Sequence, residues 1–360
     1  MSTLNVATVN ATTALNTAAI NGGQLAGFRN KLINGGMVFN QRGAASSADD
    51  TYAFDRWNIL TQTGTVAASQ VTDAEDGTPY MMRITQSQAS AQRFGAEQII
   101  EAANSKLMRG DEITLSARVR CSASTDLRYA ILEWTGTADS VTSDVVNDWT
   151  SGTYTAGNFF LGSNLTVTGT GSTSLTANTL ADITALTVTL GSSGNNIIVL
   201  FWTSDTQAQN VTLDISNVQL ESGDTATPFE QRGIEAELSL CQRYYEKSYG
   251  IGTPAGSTAG DITAGLVGGT HFYSNVTPCP WSVVFKVKKR TTPTIQYWDR
   301  DGNLSKHTTI ANSSTITDNV DGGANMGPLG IGEHGFLWYV GDSAGGQKFS
   351  FIHYAASAEL

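Results

Sequence analysis

Several residue patterns in this chain of 360 residues match reactive motifs in part, and in each case the surrounding sequence argues against the chemistry. Gly341-Asp342-Ser343-Ala344-Gly345 has the Gly-x-Ser-x-Gly spacing of a nucleophile elbow, which needs a strand turning sharply into a helix. Here Gly346 and a strand-like run over 348–354 follow, so a hairpin loop is predicted. The histidines, His271, His307, His334 and His353, lack His-x-x-x-His and His-Glu-x-x-His spacing, so no zinc site of that type is expected. Asp299-Arg300-Asp301-Gly302-Asn303 begins like a calcium loop, but Ile310 stands where the twelfth-position glutamate belongs, and the segment reads as a turn. Cys121, Cys241 and Cys279 are odd in number and far apart, which argues against a disulfide framework or a Cys-x-x-Cys metal site. Glycan hydrolysis needs two carboxylates held a few ångströms apart, and spacing singles out no pair among the 32 acids. The expectation is a non-enzyme with no catalytic residue, metal or cofactor.

What remains is the chemistry of binding. Sugars present C–H faces that stack on aromatic rings, and their hydroxyls seek polar partners. In the C-terminal third, Tyr273, Tyr297, Trp298, Trp338 and Tyr339 are the candidate stacking residues. Trp281, Val283, Phe285 and Val287 alternate with polar neighbours, so one strand through 281–290 is predicted, placing Lys286, Lys288 and Arg290 on one side. That basic stripe would suit anionic groups of lipopolysaccharide. Trp57, Trp202 and Trp281 lie in apolar runs and read as core.

Net charge is −11, and no Lys or Arg occurs between Arg128 and Arg232, an interval that holds Glu133, Asp139, Asp144, Asp148, Asp182 and further acids. Such a surface excludes nucleic acid as a partner, since phosphate binding needs clustered cations. No run of eighteen apolar residues predicts a membrane-spanning helix. The first basic residue is Arg29, so no secretory signal is expected, and synthesis in a reducing cytosol is.

The elements that would position these residues are short strands. Runs over 54–60, 80–85, 112–121, 127–134, 161–168, 183–190, 196–203 and 211–220 are separated by Gly- and Asn-rich turns. Ile113, Leu115, Ala117 and Val119 alternate with polar residues, the mark of one buried and one wet face. The predicted fold is all-β: an N-terminal extended arm over 1–29, a jelly-roll β-sandwich over 30–226, a short connecting helix within 227–250, and a C-terminal distal β-sandwich over 251–360. In the last unit, 294–298 and 304–310 flank Asp301-Gly302 and read as a β-hairpin. The connecting helix is predicted over 227–247, with Thr227 as N-cap, Pro228 in the first position and Glu230 completing a capping box. Its stripe Ile234, Leu238, Cys241, Tyr245 repeats at the spacing of a bundle seam and is the expected contact between sister chains.

The segments Leu-Ile-Asn-Gly-Gly at 32–36, Phe-Asn-Gln-Arg-Gly at 39–43, Tyr-Ala-Phe-Asp-Arg-Trp at 52–57, Val-Gln-Leu-Glu at 218–221, Ala-Thr-Pro-Phe-Glu at 226–230, Glu-Leu-Ser-Leu-Cys-Gln-Arg-Tyr-Tyr-Glu at 237–246 and the closing Ala-Glu-Leu resemble those of bacteriophage and prophage tail-fibre, receptor-binding proteins. The resemblance covers roughly 30–250 and the last residues; the stretch 58–217 matches in pattern only. It implies a carbohydrate-binding-like jelly roll and a homotrimeric virion fibre made in the bacterial host cytoplasm. It also implies attachment through residues 1–29 to baseplate or tail proteins, and host recognition and adsorption through a cell-surface polysaccharide or lipopolysaccharide. A baseplate or head decoration protein and a glycan-cleaving tail spike are the alternatives; against the spike, no β-helix repeat period is present.

Overall fold

A computed structural model describes residues 27–43, 47–72, 78–142, 144–258, 265–272, 281–311, 315–320, 326–340 and 347–360. Tyr273, Cys279, the Gly341–Gly345 segment and most of the 1–29 arm therefore lie outside the described residues.

The first unit is built from β1 (Thr51–Phe54), β2 (Trp57–Thr61), β3 (Val66–Thr72), β4 (Tyr80–Gln86), β5 (Phe94–Ile100), the single-turn α1 (Ala102–Ser105), β6 (Glu112–Cys121), β7 (Thr125–Trp134), β8 (Leu165–Leu175), β9 (Ala181–Thr189), β10 (Asn196–Thr203) and β11 (Thr212–Ser222). Two antiparallel sheets, ordered β1-β2-β5-β10-β7-β8 and β3-β4-β11-β6-β9, face one another. Most connections cross from one sheet to the other, as in a jelly roll. The alternation in β6 is realised: Ile113, Leu115, Ala117, Val119 and Cys121 point into the core between the sheets. β10 is buried on both faces, with Ile197, Val199 and Phe201 inside the sandwich and Ile198, Leu200 and Trp202 outside, beneath the 135–164 connection.

The run 54–60 is not one strand. A two-residue turn at Asp55-Arg56, with Arg56 at φ 69°, folds it into the β1–β2 hairpin. β3 and β5 escaped the sequence reading. β5 carries Glu97 and Gln98 in a wholly buried strand, which breaks the apolar pattern; Gln98 is satisfied by both backbone groups of Ile33 at 2.8 Å.

The predicted capping box does not form. Thr227 donates N–H (2.8 Å) and Oγ1–H (2.6 Å) to the Glu221 carboxylate, and Glu230 accepts from the Asn30 N–H at 2.8 Å. Those residues thus tie an extended segment to the end of β11 and to the entering chain. The helix, α2 (Ile234–Gln242), starts only after Gly233, with Glu235 and Glu237 near its positive end. Nor does the stripe form an outward seam. Cys241 is buried against Ile33, Phe39 and Tyr244 of its own chain, Leu238 packs on the same cluster, Ile234 is 61% exposed, and Tyr245 has left the helix.

The second unit comprises β12 (Tyr245–Lys247), β13 (Val267–Phe272), β14 (Trp281–Val284), β15 (Thr294–Trp298), β16 (His307–Ala311), β17 (Thr315–Val320), β18 (Met326–Gly332), β19 (Gly335–Val340) and β20 (Gln347–Ser357). β20 is its spine: β12 and β13 lie end to end along one edge, β15 and β16 along the other. The predicted hairpin forms at its turn, where Trp298 bridges Leu304 and the Ser305 N–H bonds the Tyr297 carbonyl at 2.8 Å; beyond it β15 and β16 pair with β20 in succession rather than with each other. The sheet β14-β19-β18 packs on this spine through Val283, Phe285, Phe336, Trp338, Ile352 and Tyr354, making a second, smaller sandwich.

Candidate functional site

The motif-bearing residues, scattered across the sequence, meet at one joint between the two units. Asn34, at φ 56°, folds its side chain back onto Phe39, accepting its N–H at 3.0 Å and donating to its carbonyl at 2.8 Å. A Cβ on Gly35 would overlap the Val218 carbonyl oxygen, and Gly36 sits against the Phe229 ring, which ties the double glycine to the end of β11 and the segment after it. Gln41 donates N–H and Nε2–H to the buried Asp55 carboxylate at 2.5 and 2.6 Å. Arg56 lies over the Tyr244 ring at 3.7 Å and Arg42 over Tyr245 at 3.9 Å, and both guanidiniums bind Glu359. Glu101 receives Arg243 (2.7 Å) and Tyr244 Oη (2.8 Å). Burial alone would raise the Glu101 carboxyl, but these bonds outweigh it and hold it below its ordinary value.

On the far side of the same joint, Glu246 binds Lys289 Nζ at 2.6 Å and Tyr354 Oη at 2.9 Å, with neither side chain of the ion pair exposed. Lys247 Nζ is enclosed by the carbonyls of Gln41, Ile251 and Thr253, and burial lowers its pKa to about 8. Such a buried network fixes geometry more than it adds stability.

The predicted binding residues do not assemble into an exposed platform. Trp338 is wholly buried and Tyr297 meets it edge-on at 4.7 Å, while Trp298 packs on Tyr249. Tyr297 and Tyr339 are half-buried. The basic stripe is broken because β14 ends at Val284. Lys286 is exposed, Lys288 pairs with Glu333 at 2.8 Å, and Arg290 is drawn back to the carbonyls of Ala358 and Glu359. The cation that the sequence reading passed over, Lys289, is the buried one.

An open groove of about 580 Å³ separates β13 from β14, and the sequence reading missed it. Among the described residues β13 pairs with β20 alone and β14 with β19 alone, so two strand edges face each other across it. Ser248, Val267, Gly268, Trp281, Val284 and Lys286 line it. The Trp281 ring rests on Gly269, where a Cβ would come within 3.1 Å of the indole. A half-buried indole, an ammonium and two serine hydroxyls make a surface that can stack on a sugar ring and pair with an anionic substituent. The missed signal was the placement of Gly268-Gly269 opposite Trp281, which no local pattern reveals.

Beside this groove Ser248 accepts the Tyr354 N–H and shares a hydrogen with His353 Nδ1, each at 3.0 Å. His353 is stacked on Tyr249, and its Nε2 has no partner among the described residues. Burial lowers the imidazole to about 4. With no carboxylate to orient the ring, the pair lacks the third member of a nucleophilic triad. Among the described residues no group of three metal-ligating side chains is gathered, and no helix is long and apolar enough to cross a membrane.

No protein-family model matches the chain. No curated protein matches it either. Among solved structures it is similar to the enzymatically active domain of tailspike protein 4 from bacteriophage CBA120, with 12% identity and a TM-score of 0.34, over 56% of this chain and 22% of that one. The carbohydrate-binding module TmCBM61, solved with β-1,4-galactotriose, aligns over 54% of this chain and 99% of its own at 10% identity and TM-score 0.31. A xylan-binding domain from Paenibacillus barcinonensis aligns over 50% and 94% at 11% identity and TM-score 0.30. This chain thus spans less than a quarter of the tailspike domain's length.

Proposed function

We propose that this chain is a structural virion fibre protein of a bacteriophage, which mediates host recognition and adsorption by binding a cell-surface glycan in the β13–β14 groove. The observation that carries this reading is the convergence of the tail-fibre-like motifs on one joint. Residues from 32–57, 237–247 and 353–360 clamp the second sandwich to the first. A mount of this kind suits a protein that must present a recognition surface at a fixed angle. The groove supplies the chemistry, with Trp281 for a sugar face and Lys286 for the anionic groups of a lipopolysaccharide. Residues 1–29 serve as the arm that joins baseplate or tail proteins. The fibre is a homotrimer whose contacts do not include Cys241 and Tyr245, which are buried within their own chain. The reading is of a binding protein without hydrolytic activity.

The test is binding of the full chain to host bacteria in competition with purified surface polysaccharide. Competable binding that Trp281→Ala and Lys286→Ala each weaken is expected. Binding to fibreless virions but not to cells would favour decoration of the baseplate or head, and release of reducing sugar ends would favour a glycan-cleaving spike.

A further inference from the structure

A second cluster on the first sandwich has no part in the joint or the groove. Arg93 and Arg128 converge on one serine: Arg93 donates Nε–H to the Ser204 carbonyl at 2.8 Å, and Arg128 donates Nε–H to Ser204 Oγ at 3.0 Å. In both, the nitrogen nearest the stem is used for positioning; of the outer nitrogens, Arg93 Nη1 has a long contact to Gln62 Oε1 at 3.4 Å. Arg109 is taken up by the Gly194 carbonyl at 2.6 Å and Asn195 Oδ1 at 2.8 Å, and Arg56, Arg83, Arg118, Arg120 and Arg243 each hold a carboxylate. Among the described residues Arg93 and Arg128 have none within ion-pair distance. The acid that faces Arg93, Asp148, is exposed and turned onto Thr150, with its Oδ1 accepting the Thr150 N–H and Oγ1–H at 2.8 and 2.6 Å. Arg93 and Arg128 are thus two neighbouring cations with no ion pair among the described residues, beside the most acidic part of the chain.

Aromatic rings lie alongside them. Arg128 stacks on the Tyr154 ring at 4.1 Å, and Tyr154 and Trp149 both pack edge-on against Phe159, at 5.2 and 5.9 Å. Phe159 is buried on Trp202, so the cluster has a fixed base, whereas Tyr154, Trp149 and both arginines are half-exposed. The 135–164 connection therefore ends in an aromatic rim bordered by two guanidiniums.

We infer that this rim is a binding site for a carboxylated saccharide, with Trp149 taking the C–H face of the ring, Tyr154 backing the Arg128 guanidinium, and Arg93 and Arg128 together taking the carboxylate. Two planar donors anchored on the same residue match a bidentate carboxylate better than a lone point charge does. The inference rests on the glycan-binding reading but names a different site and a narrower ligand class.

The test uses the full chain and tryptophan fluorescence, with polygalacturonate and poly-N-acetylneuraminate as carboxylated probes, dextran as the neutral probe and inorganic phosphate as competitor. At least one carboxylated polymer should bind, more weakly as salt rises, while dextran does not. Arg128→Gln and Arg93→Gln should each weaken binding about tenfold or more, the usual worth of one charge-assisted hydrogen bond. Arg128→Lys, which keeps the charge beside Tyr154, should retain part of it, and an unchanged melting temperature establishes that each variant is folded. Failure of both carboxylated polymers to bind overturns the inference. So does equal binding of dextran, displacement by millimolar phosphate, or binding that both arginine variants retain. Loss of carboxylated-polymer binding in Trp281→Ala with retention in the arginine variants would assign the anion to the β13–β14 groove instead.

Discussion

Glu359→Gln should expose how much the joint depends on one carboxylate. Arg56 is 1% exposed and Glu359 8% exposed, and burial would by itself lower the guanidinium's pKa, an effect Glu359 outweighs. Apart from Glu359, Arg56 has the Ile99 carbonyl at 2.6 Å and the face of Tyr244, while its Nε is without a hydrogen-bond partner among the described residues. Removing one member of a buried pair typically costs about 3–5 kcal/mol, because the remaining charge is uncompensated. Glutamine keeps one acceptor oxygen, so the expected loss is at the lower end, about 3 kcal/mol, or a fall in melting temperature of roughly 6–12 °C for a unit of this size. Arg42, at 16% exposed, shares Glu359 at 2.8 Å. Its own truncation should cost about 1 kcal/mol or less, as for pairs open to solvent. The decisive comparison is Arg56→Met combined with Glu359→Gln, which removes the stranded charge and should recover much of the loss. Differential scanning calorimetry of the four proteins reads the outcome. A fall below about 2 °C for Glu359→Gln, or a double variant no more stable than the single one, refutes the buried-charge argument.

Two further expectations concern pH. Glu97 is fully buried, with Oε1 3.3 Å from Asn58 Nδ2 and Oε2 without a hydrogen-bond partner among the described residues, and burial, with Asp144, Asp50 and Asp49 nearby, raises its carboxyl well above 4.5. A raised folded-state value means that the wild type loses stability as pH climbs above about 4.5, so Glu97→Gln should gain on it progressively toward pH 8. A stability difference that does not change with pH would count against this. His353 has the opposite sense: its folded value of about 4, against 6.5, gives stability that is present above pH 6.5 and lost as pH falls toward 4. Relative to His353→Gln, the wild type should weaken over that window, by at most on the order of 3 kcal/mol; a stability difference that stays constant across it would show that the imidazole binds protons alike in the folded and unfolded chain, which refutes the lowered value.

Local sequence determined those elements whose information is local. The alternation of Ile113 through Val119 settles which face of β6 is buried, whatever the neighbours, and the runs over 112–121 and 196–203 match β6 and β10 residue for residue. It also determined the all-β class. What depended on distant chain segments was not readable in this way. Thr227, Pro228 and Glu230 look like a helix start by local chemistry, but Glu221, Gln219 and Asn30 offer their backbone and side chains better partners, and the helix begins six residues later, at Ile234. Lys286, Lys288 and Arg290 share a parity that suggested one face, yet β14 stops at Val284, and beyond it the buried Glu246 takes the Lys286 N–H and the Lys289 ammonium. Trp298 and Trp338 looked like stacking residues and Trp281 like core, because an aromatic residue has the same propensity in either place. Closure of the second sandwich buried the first two against Tyr249 and Tyr297 and left the third at the rim of an open groove. Tertiary structure alone decided that the motif residues meet at one joint, since Arg42, Arg56, Tyr244 and Glu359 are brought together by chain crossings that no spacing encodes.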